Sequence, residues 1–132
     1  MNTAEMKEAV VEFLKEFEDP DPTRLETMVS NNFLYQVVTN LPGFADPLKG
    51  KDGVKSLAGS LKTILPNGLN LKLGTIIAEG DHAAVQCESD TTAANGKKYN
   101  NRYHFYFRFE DDKIAEVKEY CDTNHAREVF AS

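Results

Sequence analysis

The chain has 132 residues, with 41% hydrophobic and 27% charged residues and a net charge of −6. That length suits one domain, the hydrophobic share excludes wholesale disorder, and a domain of this size buries roughly two-thirds of its unfolded surface without a disulfide or a metal. The acidic balance argues against a nucleic-acid binder, no apolar run reaches the ~20 residues of a membrane helix, and Met1-Asn2-Thr3-Ala4-Glu5 has no basic region ahead of an apolar stretch, so a cytoplasmic location is expected.

Asn2 can cap a helix, with Glu5 closing a capping box. Met6, Val10, Phe13, Leu14 and Phe17 then recur at helical spacing, and Glu18-Asp19-Pro20 stops the helix near residue 18. Asp21-Pro22 restarts a short helix over 22–29, with Leu25, Met28 and Val29 as its buried face. Phe33 to Thr39 reads as a strand, Asn40 to Gly53 as a loop, and residues 53–65 as a third helix with Val54, Leu57, Leu61, Ile64 and Leu65 on one stripe. Strands follow from Leu69 to Cys121, broken by Gly80-Asp81, by Asn95-Gly96, a strong hairpin signal, and by Asp111-Asp112. Thr123 or Asn124 can start a last short helix carrying Val129 and Phe130. Helices gathered at the front and antiparallel hairpins at the back predict an α+β domain, a cone-like curved antiparallel sheet with three N-terminal helices on its concave face. A cone has a mouth. Cys87 and Cys121 lack metal-ligand spacing and read as small buried hydrophobes, so neither a metal nor a cofactor is expected.

The strand from Tyr99 carries most of the functional information. One face reads Tyr99, Asn101, Tyr103, Phe105, Phe107, Phe109, and should point to the helices. The other reads Asn100, Arg102, His104, Tyr106, Arg108, Glu110; its aromatic and cationic mix suits a homodimer interface. A two-residue turn at Asp111-Asp112 sets Tyr103 opposite Tyr120 and Asn101 opposite Asp122, a polar cluster at the rim of an apolar wall. That register also turns Glu116 and Lys118 inward. A bulge near Ala115–Glu116 would instead place Val117, Glu119 and Cys121 inside. The two registers decide whether Glu119 or Asp122 is the inward carboxylate.

The stretch Gly96-Lys-Lys-Tyr-Asn-Asn-Arg-Tyr-His-Phe-Tyr-Phe-Arg-Phe, then Asp112-Lys113-Ile114 and Glu119-Tyr120-Cys121-Asp122-Thr123, resembles the SnoaL-like branch of the nuclear transport factor 2-like superfamily. Members usually carry Gly where this chain has Asp112. The resemblance covers essentially the whole chain and implies a cystatin-like α+β barrel that pairs through its outer sheet face. It implies a pocket for a small apolar molecule of polyketide or steroid type, and chemistry without a cofactor.

Asp122 resembles the aspartate that polyketide cyclases use as general acid/base; Asp122-Thr123-Asn124 is also a helix N-cap pattern. Glu119 follows the family's Glu-Tyr-x-Asp pattern and is the second catalytic candidate. Tyr35, Asn101, Tyr103, Phe105 and Tyr120 are expected to line the ligand site. Ketosteroid isomerases carry an acid just after the first strand, where this chain reads Thr39-Asn40-Leu41-Pro42, and a second where it has Phe105. The expected function is acid/base chemistry on an apolar, oxygen-bearing ligand; the rival is a non-catalytic binding or dimerisation module of the same fold.

Overall fold

The computed structural model describes residues 1–44 and 46–131. Helix α1 (Thr3–Lys15) begins with the predicted capping box, Asn2 and Glu5 each accepting from the other's backbone N–H. It ends three residues short of expectation, in turns over 16–18. Helix α2 (Pro22–Met28) starts at the Asp21 cap and runs straight into strand β1 (Val29–Val37). A two-residue strand β2 (Leu48–Lys49), not foreseen from the sequence, precedes α3 (Gly50–Ile64). Gly53 lets α3 sit directly on β2, since a Cβ there would lie 2.6 Å from the Leu48 carbonyl carbon. Strands β3 (Lys72–Glu79) and β4 (His82–Glu88) form one hairpin, β5 (Thr91–Thr92) and β6 (Lys98–Tyr99) a second, and β7 (Arg102–Glu110) and β8 (Lys113–Cys121) a third; α4 (Thr123–Phe130) closes the order.

The main sheet has the order β2-β1-β8-β7-β4-β3, and β5-β6 stand apart as a two-stranded ribbon. The predicted α+β cone is therefore present as an open curved sheet rather than a closed barrel. One pairing departs from the antiparallel expectation: β1 runs parallel to β8. The long strand expected from Lys98 is also split at Asn100–Asn101, which lets the β5–β6 ribbon swing toward α4.

The core lies between the helices and the concave face. Phe13 packs edge-on against Phe107 at 5.6 Å, and Phe17 against Phe105 at 5.8 Å. Every residue of the predicted inner face from Tyr99 to Phe109 is buried.

The β7–β8 register resolves the alternative left open by the sequence. Glu110 pairs with Lys113 as the two-residue turn requires, but Phe109 pairs with Ile114 while Arg108 pairs with Glu116. Ala115 is the extra residue, a bulge. Beyond it Phe107 faces Val117, Phe105 faces Glu119 and Tyr103 faces Cys121. Glu116 consequently lies outside, where Arg108 reaches it at 3.5 Å.

Candidate functional site

Between α3, α4 and the open end of the sheet lies a cavity of about 270 Å³. Its apolar walls come from Leu57, Leu61 and Ile64 of α3, Leu48 of β2, Phe44 of the preceding loop, and Ala126 and Phe130 of α4. Its polar groups are Tyr35 of β1, Tyr99 of β6, Tyr103 of β7, Glu119 and Cys121 of β8 and, outside the strands, Asp46, Ser60 of α3 and Thr123 of α4. The amphipathic stripe of α3 and the inward alternation of β7 and β8 thus converge on one space. A larger concavity of about 680 Å³ lies on the convex face among Gln86, Glu88, Arg102, His104 and Tyr120. The cavity beneath α3 and α4, itself open at its mouth, holds the half-buried Glu119.

The bulge decides which carboxylate that is. Glu119 is half-buried and lines the cavity. The Tyr35 hydroxyl donates to its Oε1 at 2.5 Å, across the parallel β1–β8 pair. Burial pushes the Glu119 carboxyl above the usual glutamate range, while the Tyr35 hydrogen bond pulls it partway back. Burial, and then the Glu119 charge, hold Tyr35 well above the ordinary phenol range. The same two causes push the Cys121 thiol up to about 12. Both neighbours therefore keep their protons at neutral pH, and Tyr35 serves Glu119 as a donor.

Asp122 sits elsewhere. It is exposed at the N-cap of α4, where its Oδ1 accepts from the His125 backbone N–H at 3.2 Å. Its side chain is absent from the walls of the interior cavity. Tyr120 is a correction to the sequence reading: it is 42% exposed and paired beside His104 on the convex face, because the bulge reverses the face it occupies. Phe105 is fully buried, stacked on Tyr103 at 5.2 Å, and supports the wall from behind.

Asn101 is buried but does not line the cavity. Its Oδ1 accepts from the backbone N–H groups of Arg102 (2.7 Å) and Asp122 (3.0 Å). Its Nδ2 donates to the Asp122 carbonyl and to the Tyr99 hydroxyl, each at 3.0 Å. Tyr103 donates its hydroxyl to the same Tyr99 oxygen at 2.7 Å. Asn101 thus ties the end of β8 to the split in β7 and fixes Tyr99.

Tyr99 and Cys121 were not among the residues singled out for the site, nor were the α3 and α4 side chains of the apolar wall. Tyr99 shares the alternation that marks Tyr103, and that signal was available. His125 lies flat on Tyr99 with centroids 5.4 Å apart, and its Nε2 accepts from the Asn100 N–H at 3.3 Å.

Among the described residues, no helix is long and apolar enough to cross a membrane. No curated protein sequence matches the chain. Solved structures match closely in fold. A nuclear transport factor 2-like protein of unknown function from Burkholderia pseudomallei superposes with a TM-score of 0.85 at 17% identity, covering 100% of both chains. A candidate SnoaL-like polyketide cyclase from Jannaschia sp. gives 0.82 at 14% identity, covering 98% of this chain and 94% of the other. TerC, co-crystallised with polyporic acid, gives 0.80 at 20% identity, covering 95% and 97%. At such identities the likeness is one of fold. Residues 10–117, from the first helix into β8, match the SnoaL-like domain, and the chain belongs to that family.

Proposed function

We propose that this protein binds a small, mainly apolar, oxygen-bearing molecule in the interior cavity and moves a proton on it, with Glu119 as the acid/base group. The observation that carries this reading is the Glu119 carboxylate on the cavity wall, raised by burial and held by the Tyr35 hydroxyl at 2.5 Å. A carboxylate with its pKa moved toward neutrality is a competent proton carrier at the pH of a cell. Tyr35 orients it, and Tyr99 and Tyr103 contact the ligand. Asp122 caps α4, and Asn101 positions Tyr99. The bound molecule of TerC and the cyclase description of the Jannaschia protein support a small-molecule role for this fold.

The test compares two substitutions in an α-hydrogen exchange assay on enolisable ketones in heavy water. Glu119→Gln should lower exchange by at least ~10²-fold, the low end for general acid/base catalysis, with ligand binding retained. Asp122→Asn should leave exchange unchanged, since asparagine caps a helix about as well as aspartate. Undiminished exchange in Glu119→Gln would sink the assignment.

The convex face supports a second proposal, a homodimer. Ile77 is 61% exposed there, beside Ala84 and Tyr106, and the Tyr106 hydroxyl lies 2.6 Å from His82 Nδ1. Light scattering at micromolar concentration should give twice the chain mass; a monomer mass would remove the proposal.

A further inference from the structure

The two main concavities of the molecule differ in the sign of their charge. The one on the convex face is lined by Lys72, Arg102 and His104, with the single carboxylate of Glu88. The cavity beneath α3 and α4 is lined by the carboxylates of Asp46 and Glu119. Among the described residues no Lys, Arg or His lines it, although the chain has 15 lysines and arginines.

The hydrogen bonding points the same way. Tyr35 donates its hydroxyl hydrogen to Glu119 Oε1, so its oxygen can only accept a further bond. An ionised carboxylate has about four acceptor sites and no donor. Tyr35 and Glu119 together offer a ligand acceptors and negative charge, and a ligand seated against them has to bring the hydrogen. Burial raises the Glu119 carboxyl, the mark of a charge taken from water without a counter-ion. A cation on the ligand supplies that counter-ion, where partial desolvation strengthens the attraction.

The rest of the lining says which kind of cation. Among the described residues no group of three or more His, Cys, Asp or Glu side chains could hold a metal ion. Instead the rings of Tyr35, Phe44, Tyr99, Tyr103 and Phe130 line the cavity. Aromatic faces attract organic ammonium ions, and more strongly where water is displaced. Leu57 and Leu61 add hydrocarbon for the substituents on nitrogen.

We propose that the cavity takes a small protonated organic amine, its N–H toward Glu119 and Tyr35 and its apolar substituents against the rings and α3. The proposal builds on the reading above only in taking this cavity as the ligand site; it adds a cationic nitrogen to the ligand and asks nothing of proton transfer. A carboxylate of the same size is rejected, because it brings a third negative charge into a cavity that already holds two.

The experiment is a titration of the isotope-labelled protein by NMR at pH 7 with three probes of similar size: N,N-dimethylbenzylamine, which is cationic at that pH, the neutral acceptor benzyl methyl ether, and the anion phenylacetate. The amine should bind saturably, with shifts at the cavity residues, and at least about tenfold more tightly than the ether; phenylacetate should be weakest. Glu119→Gln should weaken the amine by at least about tenfold and change the ether by less than about twofold. Asp46 is exposed, so Asp46→Asn should weaken the amine only about two- to threefold, an effect lost at high salt. No saturable amine binding, an ether or a phenylacetate that binds as tightly, or an amine affinity that Glu119→Gln leaves unchanged overturns the proposal. If Glu119→Gln does not fold, the ranking of the three probes on the wild-type protein decides. The α-hydrogen exchange assay separates the two readings. Amine selectivity without Glu119-dependent exchange supports the amine site and overturns proton transfer; Glu119-dependent exchange without a preference for the amine does the reverse.

Discussion

The ribbon of β7 and β8 is two different materials end to end. Near the Asp111–Asp112 turn its inner face is Phe105, Phe107, Phe109, Ile114 and Val117, all buried, with Phe13 of α1 and Phe17 of the turn after it driven against them. At the far end the same alternation continues with Tyr103, Glu119 and Cys121, and α1 no longer covers it; a cavity takes its place. The lesson lies in how little changes between them. Tyr103 stacks on Phe105 at 9° as though it were the next core ring, and differs by one hydroxyl. Close packing at one end provides the rigid backing against which hydroxyls and a carboxylate can be held in place at the other.

The sharpest way to break the comparison is at the packed end. Phe107→Ala removes a fully buried ring that meets Phe13 edge-on and should cost about 3–5 kcal/mol, read as a large fall in the urea midpoint. The corresponding change at the open end is Asn101→Ala. It strands two backbone N–H groups and frees Tyr99, for about 1–3 kcal/mol, and should weaken ligand binding as well.

Glu119→Gln gives a smaller change whose sign depends on pH. Burial raises the Glu119 carboxyl in the folded protein, so the fold favours its protonated form. The stability contributed by this group is complete below the ordinary glutamate range and is lost as pH rises through the raised folded value. The wild-type melting temperature should therefore fall, relative to the Gln variant, between pH 4 and pH 8. A constant difference across that range would mean that the carboxylate is not desolvated. The smallest effect belongs to the turn. Asp111 and Asp112 both have positive φ, at 48° and 63°. Asp112→Gly should stabilise the packed end by up to about 1 kcal/mol, with ligand binding untouched.

Much of this division was legible in the sequence. The alternation from Tyr99 to Phe109 marks the inner face residue by residue, and the stripes of α1 and α3 say what covers it. The side chains that place the carboxylate were not. Ala115 is small enough to sit on either face, so periodicity alone leaves the register of everything after it open by one residue, and with it the sides taken by Glu119 and Tyr120. The parallel partnership of β1 and β8 was hidden too, because no local signal joins Tyr35 to a residue 84 positions away. Asp122 carried a genuine cap signal and a family signal at once. The structure uses the cap.

The parallel pairing of β1 with β8 also bears on how the chain must be made. Strand β8 occupies the middle of the sheet, between β1 and β7, yet it is synthesised after both. Until residues 113–121 have left the ribosome, Phe33 and Tyr35 wait on a strand with no central neighbour. The contact order of the fold is correspondingly high, and slow folding follows. A nascent chain stalled before Lys113 would display an aromatic strand edge, the kind of surface that chaperones recognise and that aggregates when they do not.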